Sequence, residues 1–285
     1  MFDGVMFLKD GRKLGYSESG LRGDYPVVLF HGTPGARFQA FAHLATRESS
    51  GLRVVVPERP GYGLSDVQGH RTLFHHVADI QRLAEGLGIR RFSIVGISGG
   101  SAYALACAHK LRDAVDRVAI IAGTGPLCEP ELLAASGELE QALVMNTEAG
   151  AAYAAGMVSA AGNDPDRVVQ AIYDGLSAVD RQHIGESMLS VYRDMLAEAL
   201  RIPDGILDDY KVLATAWGFP LEEIRVPVHF WHSTQDETVS IRHAEYVAAK
   251  IPNAKLHRLT DTGHLATPFA SAAAVLEYLK AGDLM

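Results

Sequence analysis

The sequence predicts an α/β protein whose core is a mostly parallel sheet. Residues 26–30 and 52–56 are continuous apolar runs, which are typical of parallel strands covered on both faces. A glycine-rich loop follows each run, and further apolar runs alternate with segments of helical periodicity. Strands and helices that alternate at this spacing predict a parallel sheet with right-handed crossovers. A chain of 285 residues is long enough to bury a core of that size.

The first half of the chain contains a hairpin followed by alternating strands and helices. Asp10-Gly11 predicts a tight turn between two antiparallel strands, because this pair tolerates the positive φ angles of hairpin turns. From Thr72, a predicted N-cap, apolar residues recur at helical spacing to about residue 86. The predicted elements are strands at residues 6–9, 12–16, 26–30, 52–56, 91–95 and 118–122, with helices at 72–86 and from Ser101 onward.

The pattern changes between about residues 125 and 223, where no run is typical of a strand. This segment is rich in Ala, Met, Glu and Asp, and glycine and proline residues interrupt its helical periodicity. We interpret residues 125–223 as a helical insertion into a core domain formed by residues 1–124 and 224–285. The predicted elements after the insertion are strands at residues 226–231 and 254–259 and helices at 241–250 and 268–280.

Composition argues against several classes of partner. The formal charge is −8 and no cluster of Lys and Arg occurs, so we expect neither nucleic acid nor an anionic membrane as a partner. The longest uncharged stretch, residues 92–108, is shorter than the roughly 20 apolar residues of a membrane span. Asp3 lies where a signal peptide carries basic residues, which favours a cytoplasmic location. Cys107 and Cys128 make no disulfide framework, and we expect both to be buried and reduced. The oligomeric state stays open.

The pentapeptide Gly96-Ile97-Ser98-Gly99-Gly100 fits the pattern G-x-S-x-G at a predicted junction of strand and helix. Gly96 and Gly100 lack side chains, which leaves room for a sharp, strained turn that holds the Ser98 hydroxyl above the sheet. We therefore expect Ser98 to be a nucleophile. An incidental serine in a glycine-rich turn is the alternative.

A serine hydroxyl is a weak nucleophile at neutral pH, so Ser98 needs a base. Among the 12 histidines, His264 is the best placed, because it follows the last predicted strand at the edge of the sheet where such folds bind ligands. His31 also follows a strand, but it precedes Gly32 in a loop that favours a backbone role. For the other histidines we expect solvent exposure or structural hydrogen bonds.

A metal site is the other use that histidines suggest. His229 and His232 have a suitable spacing, but no Cys, Asp or Glu falls beside them to complete a tetrahedral set. We therefore expect neither a metal nor any other cofactor, and a small molecule as the substrate.

The base in turn needs a carboxylate that orients it. Asp236 lies in the loop after the predicted strand at 226–231, at the same edge of the sheet as His264. Its rivals are Glu237, which as the next residue should point elsewhere, and Asp261, which lies close to His264 in sequence. Asp236 is our expected acid.

An acyl-transfer intermediate carries an oxyanion that backbone N–H groups must receive. One donor is usually the residue after the nucleophile, which is Gly99, and the other comes from an earlier loop at a strand end. Residues 31–35, His-Gly-Thr-Pro-Gly, form such a loop. Within it Thr33 is the expected donor, because Pro34 has no N–H. A simple tight turn is the alternative.

With these motifs in place, the chain resembles the α/β-hydrolases over nearly its whole length. The order Ser98, Asp236, His264 is the order of that family's triad. The resemblance implies an eight-stranded sheet with strand two antiparallel, helices on both faces, and a helical lid at residues 125–223. The His-Gly-Thr-Pro-Gly loop is similar to the His-Gly-Gly-Pro-Gly loop of proline iminopeptidases and departs from it by one residue. The elbow also lacks the Trp that those enzymes usually carry after the serine.

We therefore expect a serine hydrolase, without a cofactor, for carboxylic esters of small to medium apolar acyl groups. An aminopeptidase is an alternative. Such an enzyme would need acidic lid residues to hold a substrate amine. The lid offers four such residues, although a solvated helix face is the expected role for each: Glu131, Glu138, Glu140 and Glu148. A lyase or carbon–carbon hydrolase on the same triad is a further alternative, and a non-enzymatic binding protein on this fold is the last.

Overall fold

A computed structural model describes residues 2–38, 51–145 and 147–280 of the chain. Its strands are β1 Phe2–Phe7, β2 Lys13–Ser19, β3 Tyr25–Phe30, β4 Leu52–Pro57, β5 Phe92–Ile97, β6 Val115–Ile121, β7 Val228–Ser233 and β8 Ala254–Leu259. They form one eight-stranded sheet in the order β1-β2-β4-β3-β5-β6-β7-β8. β2 is antiparallel to both of its neighbours, and every other neighbouring pair is parallel. The expected fold is confirmed, including the antiparallel second strand.

The helices of the described residues fall into two groups. Those outside the predicted lid are α1 Leu73–Gly86, α2 Gly100–Lys110, α10 Arg242–Lys250, α11 Thr267–Ala270 and α12 Ala272–Lys280. Those between β6 and β7 are α3 Pro130–Leu133, α4 Glu138–Val144, α5 Glu148–Asn163, α6 Pro165–Asp174, α7 Ala178–His183, α8 Glu186–Ala199 and α9 Asp204–Ala214, followed by a 3₁₀ turn at Leu221–Glu223. The second group occupies the region from which the sequence predicts a lid.

The sheet is covered on both faces, as its continuous apolar strands require. Alternate residues of β3 point to opposite sides: Val28 and Phe30 pack with α1, α2 and α10, whereas Val27 and Leu29 pack with α12. β4 and β5 are buried along their whole lengths. The helices between β6 and β7 have an apolar cluster of their own, which Tyr62 of the core joins. The sheet is therefore held between packed apolar layers on its two faces.

Three local expectations were wrong. The final helix is broken at Ser271 into α11 and α12. Cys107 is buried as expected, but Cys128 is exposed. The first strand, expected at residues 6–9, is Phe2–Phe7. None of the helices in the described part of the chain has the length and apolarity to cross a membrane.

The turn at Ser98 depends on glycine at position 100. A Cβ added to Gly100 would clash with the carbonyl oxygen of Phe30 and lie 2.7 Å from that of His31. We expect Gly100→Ala to lower the free energy of unfolding by about 2 kcal/mol or more, because backbone atoms cannot move aside. The matched control is Gly156→Ala in the exposed interior of α5, where an added Cβ meets nothing. It should raise the stability by about 0.5–1 kcal/mol. Urea unfolding of both variants checks this, and equal effects would contradict it.

Candidate active site

Ser98 occupies a sharp turn between the end of β5 and the start of α2. Its φ angle is +51°, a left-handed conformation that costs a residue other than glycine about 1–3 kcal/mol. The backbone is held on both sides: the Ser98 N–H donates to the carbonyl of Ile121 at 3.0 Å, and its carbonyl accepts from the Thr124 N–H at 3.1 Å. The expected elbow geometry is present, and it presents the hydroxyl at the carboxyl edge of the sheet.

His264 lies between Ser98 and Asp236. Its Nε2 is 3.1 Å from Ser98 Oγ, and its Nδ1 is 2.7 Å from Asp236 Oδ2. Because a carboxylate can only accept, the proton of the neutral ring belongs on Nδ1. That tautomer leaves the lone pair of Nε2 facing the serine hydroxyl, which can donate to it. The structure thus brings the three residues together in one hydrogen-bonded chain.

Asp236 is fixed by the loop that follows β7. Its Oδ1 accepts from the backbone N–H groups of Thr238 at 3.0 Å and Val239 at 2.8 Å. Oδ2 is then turned toward His264. The Nε2 of His232 donates to the carbonyl of Val239 at 2.8 Å and lies 3.3 Å from Asp236 Oδ2. His232 therefore has the structural role that the sequence suggested for it.

The charges of the site favour a basic imidazole. Burial acts to lower the pKa of His264, but the carboxylates of Asp236, Asp180 and Glu140 outweigh it and raise that pKa above 6.5. For Asp236 the balance has the opposite sign. Burial acts to raise its pKa, and the neighbouring imidazoles hold the pKa well below the usual range. Asp236 is thus ionised wherever His264 accepts a proton.

Glu140 differs from the other three acidic residues considered in the lid. Glu131, Glu138 and Glu148 are exposed, as expected of a solvated helix face. Glu140 is partly buried, and burial raises the pKa of its carboxyl. Its charge acts on His264, so the carboxylate belongs to the surroundings of the site. The expectation of a solvated role was wrong for this residue.

The two residues expected to supply the oxyanion donors lie side by side. A Cβ added to Gly99 would lie only 2.5 Å from Thr33 Oγ1. Within the described residues, neither the Thr33 N–H nor the Gly99 N–H donates to another protein group. Residues 31–35, which we call the oxyanion loop, therefore meet the start of α2 beside Ser98.

The rejected candidates have other contacts. The ring of His31 bonds to backbone atoms of Gly32 and Arg59, as its position suggested. His229 pairs with His257 rather than with His232. His76 is buried, and among the described residues neither of its ring nitrogens has a hydrogen-bond partner. This differs from the expected solvent exposure or structural hydrogen bonds.

Across residues 2–38, 51–145 and 147–280, no group of three or more His, Cys, Asp or Glu is arranged to hold a metal ion.

The two rivals to Asp236 lie at the surface. Glu237 is exposed, and so is Asp261.

A buried ionic cluster behind the oxyanion loop was not anticipated. Asp209 of α9 is fully buried, as is Arg59 of the loop after β4. The carboxylate accepts from the guanidinium groups of Arg59 at 2.6 Å and Arg71 at 2.8 Å. It also accepts from hydroxyl groups, those of Thr33 at 2.9 Å, Tyr62 at 3.0 Å and Tyr103 at 2.8 Å. The local signal for Arg59 in the sequence is weak, since it is only a charged residue two positions after a buried strand.

Asp180 of α7 holds the loop that carries His264. Its carboxylate accepts from the backbone N–H groups of Leu265 at 3.3 Å and Ala266 at 2.9 Å. A Cβ added to Gly263 would collide with the same carboxylate, which explains the glycine before the histidine. Tyr192 of α8 also donates to the Leu265 carbonyl, at 3.2 Å. The predicted lid thus contacts the catalytic loops through polar groups on two sides.

Fold and site together define a hydrolase, and comparison with known proteins identifies its family. Residues 25–270 match the family described as alpha/beta hydrolase fold, so the chain belongs to that family.

Individual relatives include esterases and peptidases. A pimeloyl-[acyl-carrier protein] methyl ester esterase of Aromatoleum aromaticum is 27% identical over 253 residues, which are 86% of this chain and 92% of the relative. A proline iminopeptidase of Xylella fastidiosa is 32% identical over 113 residues, which are only 37% of this chain and 34% of the relative.

Solved structures agree in fold along nearly the whole chain. A bromoperoxidase from Bacillus anthracis superposes with a TM-score of 0.72 at 23% identity, covering 98% of this chain and all (100%) of the other. A thermophilic esterase from Thermogutta terrifontis, solved with malate bound, gives a TM-score of 0.72 at 21% identity and covers 99% of each chain. At these identities the likeness describes the fold alone.

The raised pKa of His264 sets the expected pH dependence. Only the neutral imidazole can accept the serine proton, so kcat/KM for an ester should rise with pH, with a midpoint above the ordinary imidazole value of about 6.5. Glu140→Gln removes a negative charge that favours the protonated ring, and it should move the midpoint to lower pH. Glu138→Gln, an exposed acid on the same helix, should leave it in place. A midpoint that Glu140→Gln does not move would contradict this account.

Proposed function

We propose that the protein is a serine hydrolase that cleaves small-molecule carboxylic esters of small to medium apolar acyl groups, without a cofactor. The observation that carries the proposal is the hydrogen-bonded chain from Ser98 through His264 to Asp236, with Ser98 on a left-handed turn. This arrangement is that of a nucleophile, its base and the residue that orients the base.

The reaction has two stages on these residues. Ser98 Oγ attacks the acyl carbon as its proton passes to His264 Nε2, and Asp236 stabilises the imidazolium. The carbonyl oxygen becomes an oxyanion between the N–H groups of Thr33 and Gly99. The intermediate expels the alcohol, which takes the proton from His264. Water then attacks the acyl-enzyme by the same steps, with His264 as base, and releases the acid.

A relative supports an ester as the bond that is cleaved, and the predicted lid supports an apolar acyl group. A relative matched over most of its length is named as a methyl ester esterase. Several apolar side chains of the predicted lid, such as Leu133, Met157 and Leu189, are only partly buried. Unbranched methionines among them adapt to irregular apolar groups. These features support a preference for apolar acyl chains of limited length.

An aminopeptidase is the second candidate, and Glu140 is the observation that favours it. A carboxylate close to the catalytic imidazole is the group that would hold a substrate ammonium ion. The partial match to a proline iminopeptidase points the same way. The elbow without Trp and the Thr in the oxyanion loop weigh against it.

The nucleophile can be tested by labelling and by substitution. A fluorophosphonate probe should label Ser98, as peptide mass spectrometry would show. Ser98→Ala should abolish labelling and lower kcat by about 10⁴-fold or more while the protein stays folded, because triad members act as a unit. Labelling at another serine, or a variant that keeps most of its activity, would overturn the mechanism.

A matched pair of acids provides the control. Asp236→Asn should keep the fold but leave the imidazole in the wrong tautomer, with a loss in kcat of about 10⁴-fold. Glu237→Gln, the neighbouring exposed residue, should change kcat little. Equal losses in the two variants would show that Asp236 is not the orienting acid.

Substrate class can be decided with a panel of chromogenic substrates. We expect kcat/KM for p-nitrophenyl esters to peak at short or medium acyl chains. We expect no jump in rate when the substrate aggregates and presents a lipid–water interface. A peak at long chains with interfacial activation would instead identify a lipase. Preference for proline arylamide, lost in Glu140→Gln and kept in Glu138→Gln, would establish the aminopeptidase.

A further inference from the structure

The peptide bond between Gly32 and Thr33 has unusual partners on its carbonyl side. The Gly32 carbonyl oxygen accepts from Arg59 Nη2 at 2.8 Å and lies 2.8 Å from His31 Nδ1. The backbone N–H of Arg59 donates to His31 Nε2 at 3.2 Å, so the ring proton is on Nδ1 and Nδ1 also donates to the carbonyl. One carbonyl thus receives a guanidinium and an imidazole, and the N–H of the same peptide belongs to Thr33.

The charge states of these groups are fixed by their surroundings. Burial acts against the charge of Arg59, but the Asp209 carboxylate outweighs it and raises the pKa of the guanidinium. Burial and the nearby charge of Arg59 hold the pKa of His31 well below 6.5. Arg59 is therefore a cation and His31 is neutral across the working pH range.

The second proposed donor has a different support. The N–H of Gly99 belongs to the peptide whose carbonyl is that of Ser98. That carbonyl accepts from the N–H groups of Ser101 at 3.0 Å and Thr124 at 3.1 Å, both of them neutral backbone donors. Each donor peptide has a carbonyl oxygen that accepts two hydrogen bonds, but only the carbonyl of the Thr33 peptide accepts one of them from a charged group, the Arg59 guanidinium.

We propose that Arg59 is a positioning residue that polarises the Gly32–Thr33 peptide and so makes the Thr33 N–H the stronger donor to the oxyanion. A hydrogen bond to a peptide oxygen shifts electron density away from the nitrogen, which strengthens the N–H as a donor. A charged donor has the larger effect. The inference rests on the proposed function, since it requires an oxyanion between Thr33 and Gly99.

The geometry also explains why an arginine serves this role. The planar guanidinium donates to the carbonyls of both His31 and Gly32 and to Thr33 Oγ1, the last at 3.0 Å. Its other edge is bound by the carboxylate of Asp209. A lysine ammonium carries the same charge but cannot hold this fixed fork of donors.

Arg71 offers a matched control for the experiment. It is buried like Arg59 and donates to the same carboxylate, at 2.8 Å, but its other acceptors are the carbonyls of Pro60 and Gly205. Within the described residues it donates no hydrogen bond to the oxyanion loop. Arg71→Met therefore removes a cation and an ion pair to Asp209 while Arg59 and its bonds to Gly32 remain.

The test compares Arg59→Met, Arg59→Lys and Arg71→Met. Each is assayed for thermal stability, for kcat and KM on p-nitrophenyl butyrate, and for inhibition by an alkyl trifluoromethyl ketone. Ser98 Oγ adds to the ketone carbon as the carbonyl π bond becomes an oxyanion, and the serine proton passes to His264. The adduct therefore reports on the oxyanion donors without turnover.

We expect Arg59→Met to lower kcat about 10- to 100-fold with KM changed less than threefold, because a weakened donor costs less than the 10²- to 10³-fold of a lost one. Its inhibition constant for the ketone should rise by a similar factor. Arg59→Lys should fall between this variant and the wild type. Arg71→Met should lose comparable stability while kcat and ketone inhibition change less than threefold.

A measurement on the wild type makes the result independent of variant folding. With selective ¹⁵N labelling, formation of the ketone adduct should move the Thr33 amide proton further downfield than that of Gly99. Equal shifts of the two amide protons, or equal kinetic losses in Arg59→Met and Arg71→Met, would overturn this inference but leave the proposed function standing. If the wild type forms no adduct on Ser98, the proposed function fails and the inference fails with it.

Discussion

The site depends on one constraint, which is that parallel strands end at the same edge of the sheet. β3 and β5 are neighbours, with Phe30 opposite Gly96, so the loops that follow them start side by side. The same holds for β7 and β8, where Ser233 lies opposite Leu259. The residues proposed as nucleophile, base and acid are therefore brought together with the oxyanion loop by strand register, although they are far apart in sequence. A slip of one residue in any of these pairs would turn side chains to the wrong face.

Two buried carboxylates of the predicted lid make ionic and polar contacts with the loops of the candidate site. Asp209 and Asp180 are both nearly free of solvent, and a buried carboxylate is costly unless it is hydrogen-bonded. Asp209 meets this need with two guanidinium groups and three hydroxyls, and Asp180 with two backbone N–H groups. Such contacts are directional, so they fix the loops at defined positions where an apolar contact would permit sliding.

Sequence reasoning succeeded where a residue's role follows from its local position. The elbow around Ser98, the loop that carries Asp236 and the loop that carries His264 each follow a strand that the sequence predicts, and the structure brings these residues together. The fold class and the antiparallel second strand were likewise predictable. Partners across long separations were not. Asp209 lies 150 residues from Arg59, and Asp180 lies 86 from Ala266, and neither carries a local pattern. Glu140 shares a short helix with exposed Glu138, so only tertiary packing distinguishes the two.

The two proposed oxyanion donors differ in what builds them. The Gly99 N–H belongs to a peptide whose carbonyl accepts hydrogen bonds from backbone N–H groups at the elbow. Any chain that folds this strand, turn and helix therefore supplies those bonds. The support of Thr33 consists of side chains, and Arg59 is held in turn by Asp209 from the region between β6 and β7. One half of the proposed oxyanion site thus depends on the strand and helix at the elbow, whereas the other half requires the region between β6 and β7. Because Asp209 lies behind the oxyanion loop, we expect substitutions in that region to change the chemistry of the site without touching a substrate.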